Sequence, residues 1–205
     1  FSAGANDLFL DFSKTNIDYK TKKLLLDLLN RANFEGKLKN MLAGSRINVS
    51  ERRMVLHWLL RANLEKPNFH DLKIVKSMKK VRLKMETFAN HIRTGQINSV
   101  TGKKFTDIVN VGIGGSHLGP KMSIRALAPY HDGPKCHFVS NVDSADFTDT
   151  LDPLNPETTL IIIASKTFST VETMTNARSI LTWLNKKIQS DAEKHLVAVS
   201  SNPIE

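Results

Sequence analysis

Cysteine is almost absent: Cys136 is the only one in 205 residues. That excludes an internal disulfide and the stapled secreted scaffolds that depend on one, and a reducing, cytoplasmic compartment is expected. Cys136 precedes an apolar strand, so it reads as a buried structural thiol rather than a reactive one. No apolar run approaches the roughly 20 residues that span a bilayer, and no membrane partner is expected. The opening FSAGANDLFLDFSK has no basic stretch followed by an apolar one, so no secretory leader is expected. Metal-ligand spacings are missing too. His57, His70, His91, His117, His131, His137 and His195 show no HExxH pattern, so no metal is expected and surface or packing positions are the default. His117 is set apart by the loop that carries it. Internal repeats and low-complexity segments are absent as well.

Acidic residues are in deficit, 20 against 29 Lys plus Arg. Such an excess fits nucleic acid, an anionic surface or an anionic small substrate. The densest basic stretch is KIVKSMKKVRLKME, Lys73 to Glu86. Ile74, Met78, Val81, Met85, Phe88 and Ile92 recur there at spacings of four and three, the buried stripe of a helix. Lys73, Lys76, Lys80 and Lys84 fall on another side and read as its solvated face. With no interleaved aromatics and no zinc or RNA-binding signature, no nucleic-acid partner is expected. At 24% charged and 40% hydrophobic residues, the composition is that of a globular protein long enough to bury a real core.

Residues 1–100 read as a helical region. YKTKKLLLDLLNRAN (Tyr19 to Asn33) and SERRMVLHWLLRAN (Ser50 to Asn63) are amphipathic, with Ser50 placed to cap the second. Pro67 and Asn68 break the chain before the long Lys- and Met-bearing helix, and Gly95 ends it. Residues 101–205 follow another pattern, with short β-rich apolar runs alternating with helical segments. TDIVNVG precedes SHLGPKMSIRAL, CHFVSN precedes DSADFTDTL, TTLIIIA precedes a helix to about Lys187, and HLVAVSS closes the series. This predicts an α/β fold, a parallel sheet flanked by helices on both faces. Right-handed crossovers put every strand's C-terminus on one edge, where such sheets bind ligands. No closing helix follows the fourth strand, so the α/β domain is expected to be truncated.

The loop VNVGIGGSHLGP, Val109 to Pro120, leaves the first of these strands and opens a helix, a geometry suited to an anion on helix N–H groups. A dinucleotide fingerprint needs Gly-x-Gly-x-x-Gly. From Gly112 and Gly114 the third glycine falls at His117, so the spacing is broken even though Asp143 could mimic the ribose-binding acid. A purely structural glycine turn stays open as an alternative. The third strand ends in ASKTFSTVETMTNA, where Ser165, Thr167, Ser169 and Thr170 crowd four hydroxyls into six positions and Lys166 adds a charge. Ser169 and Glu172 have capping-box spacing, so the next helix is expected to begin here, with Met174, Ala177, Leu181, Leu184 and Ile188 as its buried stripe. Hydroxyls, backbone amides and a helix N-terminus suit a phosphate dianion. Two such loops on one parallel sheet can converge on one ligand, which favours phosphate binding over an ordinary Ser/Thr-rich turn.

Together GIGGSHLGP, SNVD, NPETTLIIIASKTFSTVETMTNA and the upstream INVSERRMVLHWLLR resemble the glucose-6-phosphate isomerases, in order from Leu10 to Asn202. The resemblance implies a sugar-isomerase (SIS) three-layer sandwich that binds a sugar 6-phosphate. Gly115 and Ser116 would line the sugar phosphate, and Ser165, Lys166, Thr167, Phe168, Ser169 and Thr170 would form the phosphate-binding loop. Arg53 matches the family's upstream arginine, with no catalytic role assigned. Two positions depart from the family, which usually has Asp at His117 and Gln at Val171. The family opens the sugar ring and moves a proton between C1 and C2 through a cis-enediol. Its glutamate base, its ring-opening histidine and lysine and its charge-stabilising arginine lie in later segments that nothing here matches. The resemblance thus implies an N-terminal portion with no catalytic residue of its own, no cofactor, and a homodimer in full-length form. The alternative is a non-catalytic sugar-phosphate-sensing module of the same fold.

Overall fold

The computed structural model describes residues 1–65, 69–188 and 191–202. The chain divides into two units, Phe1–Leu83 and Lys84–Glu205.

The first unit opens with a hairpin that the helical expectation did not include. Strands β1 (Ser2–Ala5) and β2 (Leu8–Asp11) pair antiparallel, Ala5 opposite Leu8. Asn6 and Asp7 between them take left-handed φ of 45° and 55°, which short polar side chains tolerate and a tight hairpin favours. Helix α1 (Tyr19–Arg31) forms where its periodicity predicts, capped by the Asp18 carboxylate on the Thr21 N–H at 2.7 Å. Asn33 in turn caps α2 (Phe34–Leu42). Neither helix has a buried residue.

The helix expected over Ser50 to Asn63 is not there. The Asn48 Oδ1 accepts the Ser50 hydroxyl at 2.9 Å and the Glu51 N–H at 3.1 Å, while its Nδ2 donates to Glu51. Arg52 is left-handed at φ 52°, and the main chains of Asn48 and Arg53 pair with each other. Local side-chain bonds have outcompeted the helical ladder, so Ser50 sits in a closed turn instead of capping. Only His57–Arg61 coil, as a 3-10 turn that buries Leu59 with Leu64, Phe69 and Val75. The break expected at Pro67 and Asn68 lies outside the described residues.

Helix α3 (Leu72–Thr94) runs across the division between the units and ends as expected at Gly95, where φ is +76°. Its lysine face is exposed, but its apolar stripe is interrupted. Ile74 and Met78 pack near Val75 in the first unit's core, and Phe88 and Ile92 pack in the second's, whereas Val81 and Met85 are 53% and 63% exposed. The helix serves two cores, and its middle turns belong to neither.

In the second unit, β3 (Asp107–Val111), β4 (Lys135–Val139), β5 (Thr159–Ala164) and β6 (Leu196–Val199) form one parallel sheet in the order β4-β3-β5-β6. Side chains alternate between its faces. Val109, Val111, Ile161 and Ile163 enter a core with Leu151, Ala177, Ile180 and Leu184, while Ile108 and Leu160 pack with Ile92 and Phe105. The crossovers are α4 (Gly115–Ala126), α5 (Ser144–Leu151) and α6 (Val171–Asn185). The expected parallel α/β sandwich is therefore present. The α6 stripe is rotated slightly from its expected line. Thr173, Asn176 and Ile180 join Ala177 and Leu184 as buried, and Met174 and Leu181 are only half-buried.

Candidate functional site

A parallel sheet brings the ends of β3, β4, β5 and β6 to one edge, and the glycine loop lies there between Val111 and α4. Its glycines answer to different needs. A Cβ on Gly112 would lie 2.8 Å from the Ser116 Cβ and 2.9 Å from the Ala164 carbonyl oxygen, so only glycine lets this loop close on the end of β5. The Gly112 N–H meanwhile reaches the Val139 carbonyl at 3.2 Å. Gly114, at φ +53°, and Gly115 have nothing within 4 Å of a built Cβ, so the loop presents open space beside Ser116.

Helix α4 starts with a built-in defect. Pro120 lies inside it and has no N–H to give to the Ser116 carbonyl four residues back. The Asn110 Nδ2 supplies that bond from β3 at 2.9 Å. A strand side chain thereby holds the first turn that carries Gly115 and Ser116.

The Ser165–Thr170 loop is tightly organised. The Ser165 side chain, 4% exposed, accepts the Phe168 N–H at 3.1 Å and meets the Thr170 hydroxyl at 3.2 Å. Phe168 is left-handed at φ 56°, which folds the loop back on Ser165. The expected capping box does not form. Ser169 instead donates to the Thr167 hydroxyl at 2.9 Å, and Thr170 is the cap position of α6, with no side-chain capping bond. Glu172 is an exposed residue of the first turn. Among the described residues, the helix therefore begins without a side-chain cap, in the midst of hydroxyls.

Sequence reasoning missed the supports of this loop. The Lys166 carbonyl accepts the hydroxyls of Ser200 and Ser201 at 3.1 and 2.9 Å and the Ser201 N–H at 3.1 Å. Asn202 donates to the Thr167 carbonyl at 3.0 Å. The Ser-Ser-Asn run directly after a strand was the available signal. Across the edge, Asn176 of α6 donates to the Asn141 carbonyl at 2.7 Å, joining the β4 loop to the start of α6. Structure thus brings Gly115 and Ser116 to the same sheet edge as Ser165, Lys166, Thr167, Phe168, Ser169 and Thr170.

Other candidates resolve differently. Asp143 accepts the Ala145 N–H at 2.8 Å as the cap of α5, so it is engaged within its own helix. Cys136 is half-buried rather than fully buried, and desolvation pushes its thiol up from the ordinary value. His195 is a packing residue: its Nδ1 meets the Thr159 carbonyl at 2.9 Å and its Nε2 accepts the Val100 N–H at 3.3 Å. Arg53 is exposed in the Asn48 turn. Among the described residues no three His, Cys, Asp or Glu side chains gather as a metal site, and no helix is long and apolar enough to cross a membrane.

Fold and edge together define a parallel α/β domain with two loops gathered at one edge of its sheet. Comparison with known proteins gives the family. The model of the phosphoglucose isomerases matches residues 11–205, and the chain belongs to that family. It is 48% identical over 202 residues to the glucose-6-phosphate isomerase of Ruegeria sp. (strain TM1040), covering 98% of this chain and 38% of that protein. Its likeness to the glucose-6-phosphate isomerase of Chelativorans sp. (strain BNC1) is also 48%, covering 98% of this chain and 37% of the relative. The crystal structure of a glucose-6-phosphate isomerase from Chlamydia trachomatis superposes with a TM-score of 0.79 at 26% identity, over 99% of this chain and 39% of that one. The chain thus spans well under half the length of these relatives.

Proposed function

We propose that this chain supplies the sugar-phosphate-binding loops of a glucose-6-phosphate isomerase, which interconverts glucose 6-phosphate and fructose 6-phosphate. The observation that carries the reading is the close approach of the glycine loop to the end of β5, with Gly112 against Ala164. One ligand can then touch both loops. The phosphate belongs at Ser165, Thr167, Thr170 and the uncapped start of α6, where several donors meet a helix N-terminus. Lys166, Phe168 and Ser169 complete that loop, and Gly115 and Ser116 give the sugar close access to backbone. The same reading makes the unit a sugar-isomerase sandwich in a cytoplasmic, homodimeric glycolytic enzyme acting without a cofactor.

Proton transfer between C1 and C2 needs a base within about 3 Å of the abstracted proton. Glu172, the acid of the third loop, is an exposed side chain on the first turn of α6, and no residue here is assigned that role. The 205-residue chain alone is therefore expected to show no turnover of glucose 6-phosphate in a coupled assay free of host isomerase. Turnover near that of an intact family enzyme would refute this.

Calorimetric titration with fructose 6-phosphate, inorganic phosphate and NAD tests the site. A charge-assisted hydrogen bond contributes about 1.5–3 kcal/mol, so Thr170→Ala should weaken phosphosugar binding about tenfold or more. Preferential NAD binding, or phosphosugar binding untouched by this substitution, would overturn the reading.

A further inference from the structure

The residues that follow β6 hold the Ser165–Thr170 loop by its carbonyls. Main-chain pairing between β5 and β6 runs one step past the strands, with the Ser165 N–H on the Val199 carbonyl at 3.0 Å. Beyond that step the Lys166 carbonyl accepts three donors. They are the Ser200 hydroxyl at 3.1 Å, the Ser201 hydroxyl at 2.9 Å and the Ser201 N–H at 3.1 Å. The Asn202 side chain donates to the next carbonyl, that of Thr167, at 3.0 Å, while its own N–H rests on the Ser200 hydroxyl at 3.0 Å. A carbonyl oxygen has two lone pairs, so three donors fix its direction as well as satisfy it.

A trans peptide unit is planar, with its C=O and N–H directed oppositely, and no described peptide bond is cis. The carbonyls of Lys166 and Thr167 therefore decide where the N–H groups of Thr167 and Phe168 point. In the sheet order β4-β3-β5-β6, the glycine loop flanks the β5 loop on one side and Ser200–Asn202 flank it on the other. With both carbonyls turned to the β6 side, both N–H groups face the β3 side, where Gly112 abuts Ala164. Phe168, left-handed at φ 56°, supplies a bend of the kind in which successive N–H groups form an anion-binding concavity. The Ser165 hydroxyl takes the Phe168 N–H at 3.1 Å. Among the described residues the Thr167 N–H meets no acceptor.

We propose that Ser200, Ser201 and Asn202 are positioning residues for the phosphate loop: they hold its carbonyls against β6 and so present the Thr167 N–H to a phosphate lying on the β3 side. The proposal rests on reading this sheet edge as a sugar-phosphate site, and it adds the residues that set the loop's geometry. None of the three touches the ligand. Their effect passes through the peptide planes on either side of Thr167.

Inorganic phosphate is the probe, titrated into the full chain by calorimetry and by NMR of its backbone amides. In wild type the Thr167 amide proton should move downfield on saturation, as it gains an acceptor. Removing both hydroxyls from the Lys166 carbonyl, in the Ser200→Ala, Ser201→Ala double variant, should weaken phosphate about three- to tenfold. The Thr167 shift on saturation should shrink with it. A merely structural role would lower the urea midpoint but leave that shift in place. Asn202→Ala, at an exposed side chain, should weaken phosphate about two- to fivefold, and it provides a second variant if the first fails to fold. A Thr167 amide unmoved at saturating phosphate, or variants that bind phosphate as wild type does, overturns the positioning role and leaves the site reading intact. Absence of saturable phosphate binding in wild type overturns both.

Discussion

Gly112 and Gly115 stand three positions apart in one loop and answer to different constraints. Gly112 is needed by the protein itself, since a methyl group there meets Ser116 and the Ala164 carbonyl below 3 Å. Gly112→Ala should destabilise the chain by about 1–3 kcal/mol through overpacking, measured as a lower urea midpoint. Gly115 faces open space, and its φ is not left-handed, so Gly115→Val should keep the wild-type midpoint. It should nevertheless weaken fructose 6-phosphate more than free phosphate, because the side chain fills room meant for sugar. Equal loss of both ligands would count against that division. The motif announced a ligand loop, but it could not say which glycine was structural. That answer depends on Ala164, some fifty residues away in sequence.

At the scale of elements, the clearest case is the pairing of Asn110 with the Ser116 carbonyl. Proline within a helix withholds a donor, and here a strand side chain makes up the loss. Asn110→Ala should leave that carbonyl without its partner and cost about 1–3 kcal/mol. It should also weaken fructose 6-phosphate binding, because the first turn of α4, which carries Gly115 and Ser116, loses its tether to β3. Chemical denaturation and calorimetry on the same variant check both effects; unaltered stability would remove Asn110 from this role. The strands and crossovers of the second unit were legible because short apolar β-rich runs alternate regularly with helical segments along the chain, although the order in the sheet, with β3 between β4 and β5, was not. Ser50 to Asn63 has equally good helical spacing and still does not coil, because the Asn48 amide offers its neighbours closer bonds than a helix would. Ser169 was misread for a similar reason: Thr167, two residues back, takes its hydroxyl before the helix can. Val81 and Met85 kept their place in the periodic stripe, but periodicity names a face and not what covers it.

The whole molecule carries an imbalance between its two units. The second is built on two buried clusters that share its sheet, whereas β1, β2, α1 and α2 of the first contain no buried residue. Leu8 and Phe9 are 80% and 75% exposed, and Leu24, Leu28 and Phe34 are exposed on the helices. Apolar area left in water contributes nothing to folding and invites association. The isolated chain should bind a hydrophobic dye and self-associate with rising concentration. A monodisperse monomer in light scattering, with no excess dye fluorescence, would contradict this. Composition predicted a chain able to build a core, and it has one. It gave no means of seeing that most of the buried residues would lie in the second unit, since leucine is the more frequent in the first.

The strand order β4-β3-β5-β6 also has a temporal meaning. During synthesis β3 emerges first and pairs with β4. Strand β5 then takes the free side of β3, and β6 takes the free side of β5. Every addition is made at an open margin in the order of translation, and no strand has to be threaded between two that are already joined. Parallel sheets fold slowly when distant partners must find each other, and exposed margins are hazardous while they wait. Here the ribosome delivers each partner to a margin that already exists, so the nascent sheet can grow without being taken apart.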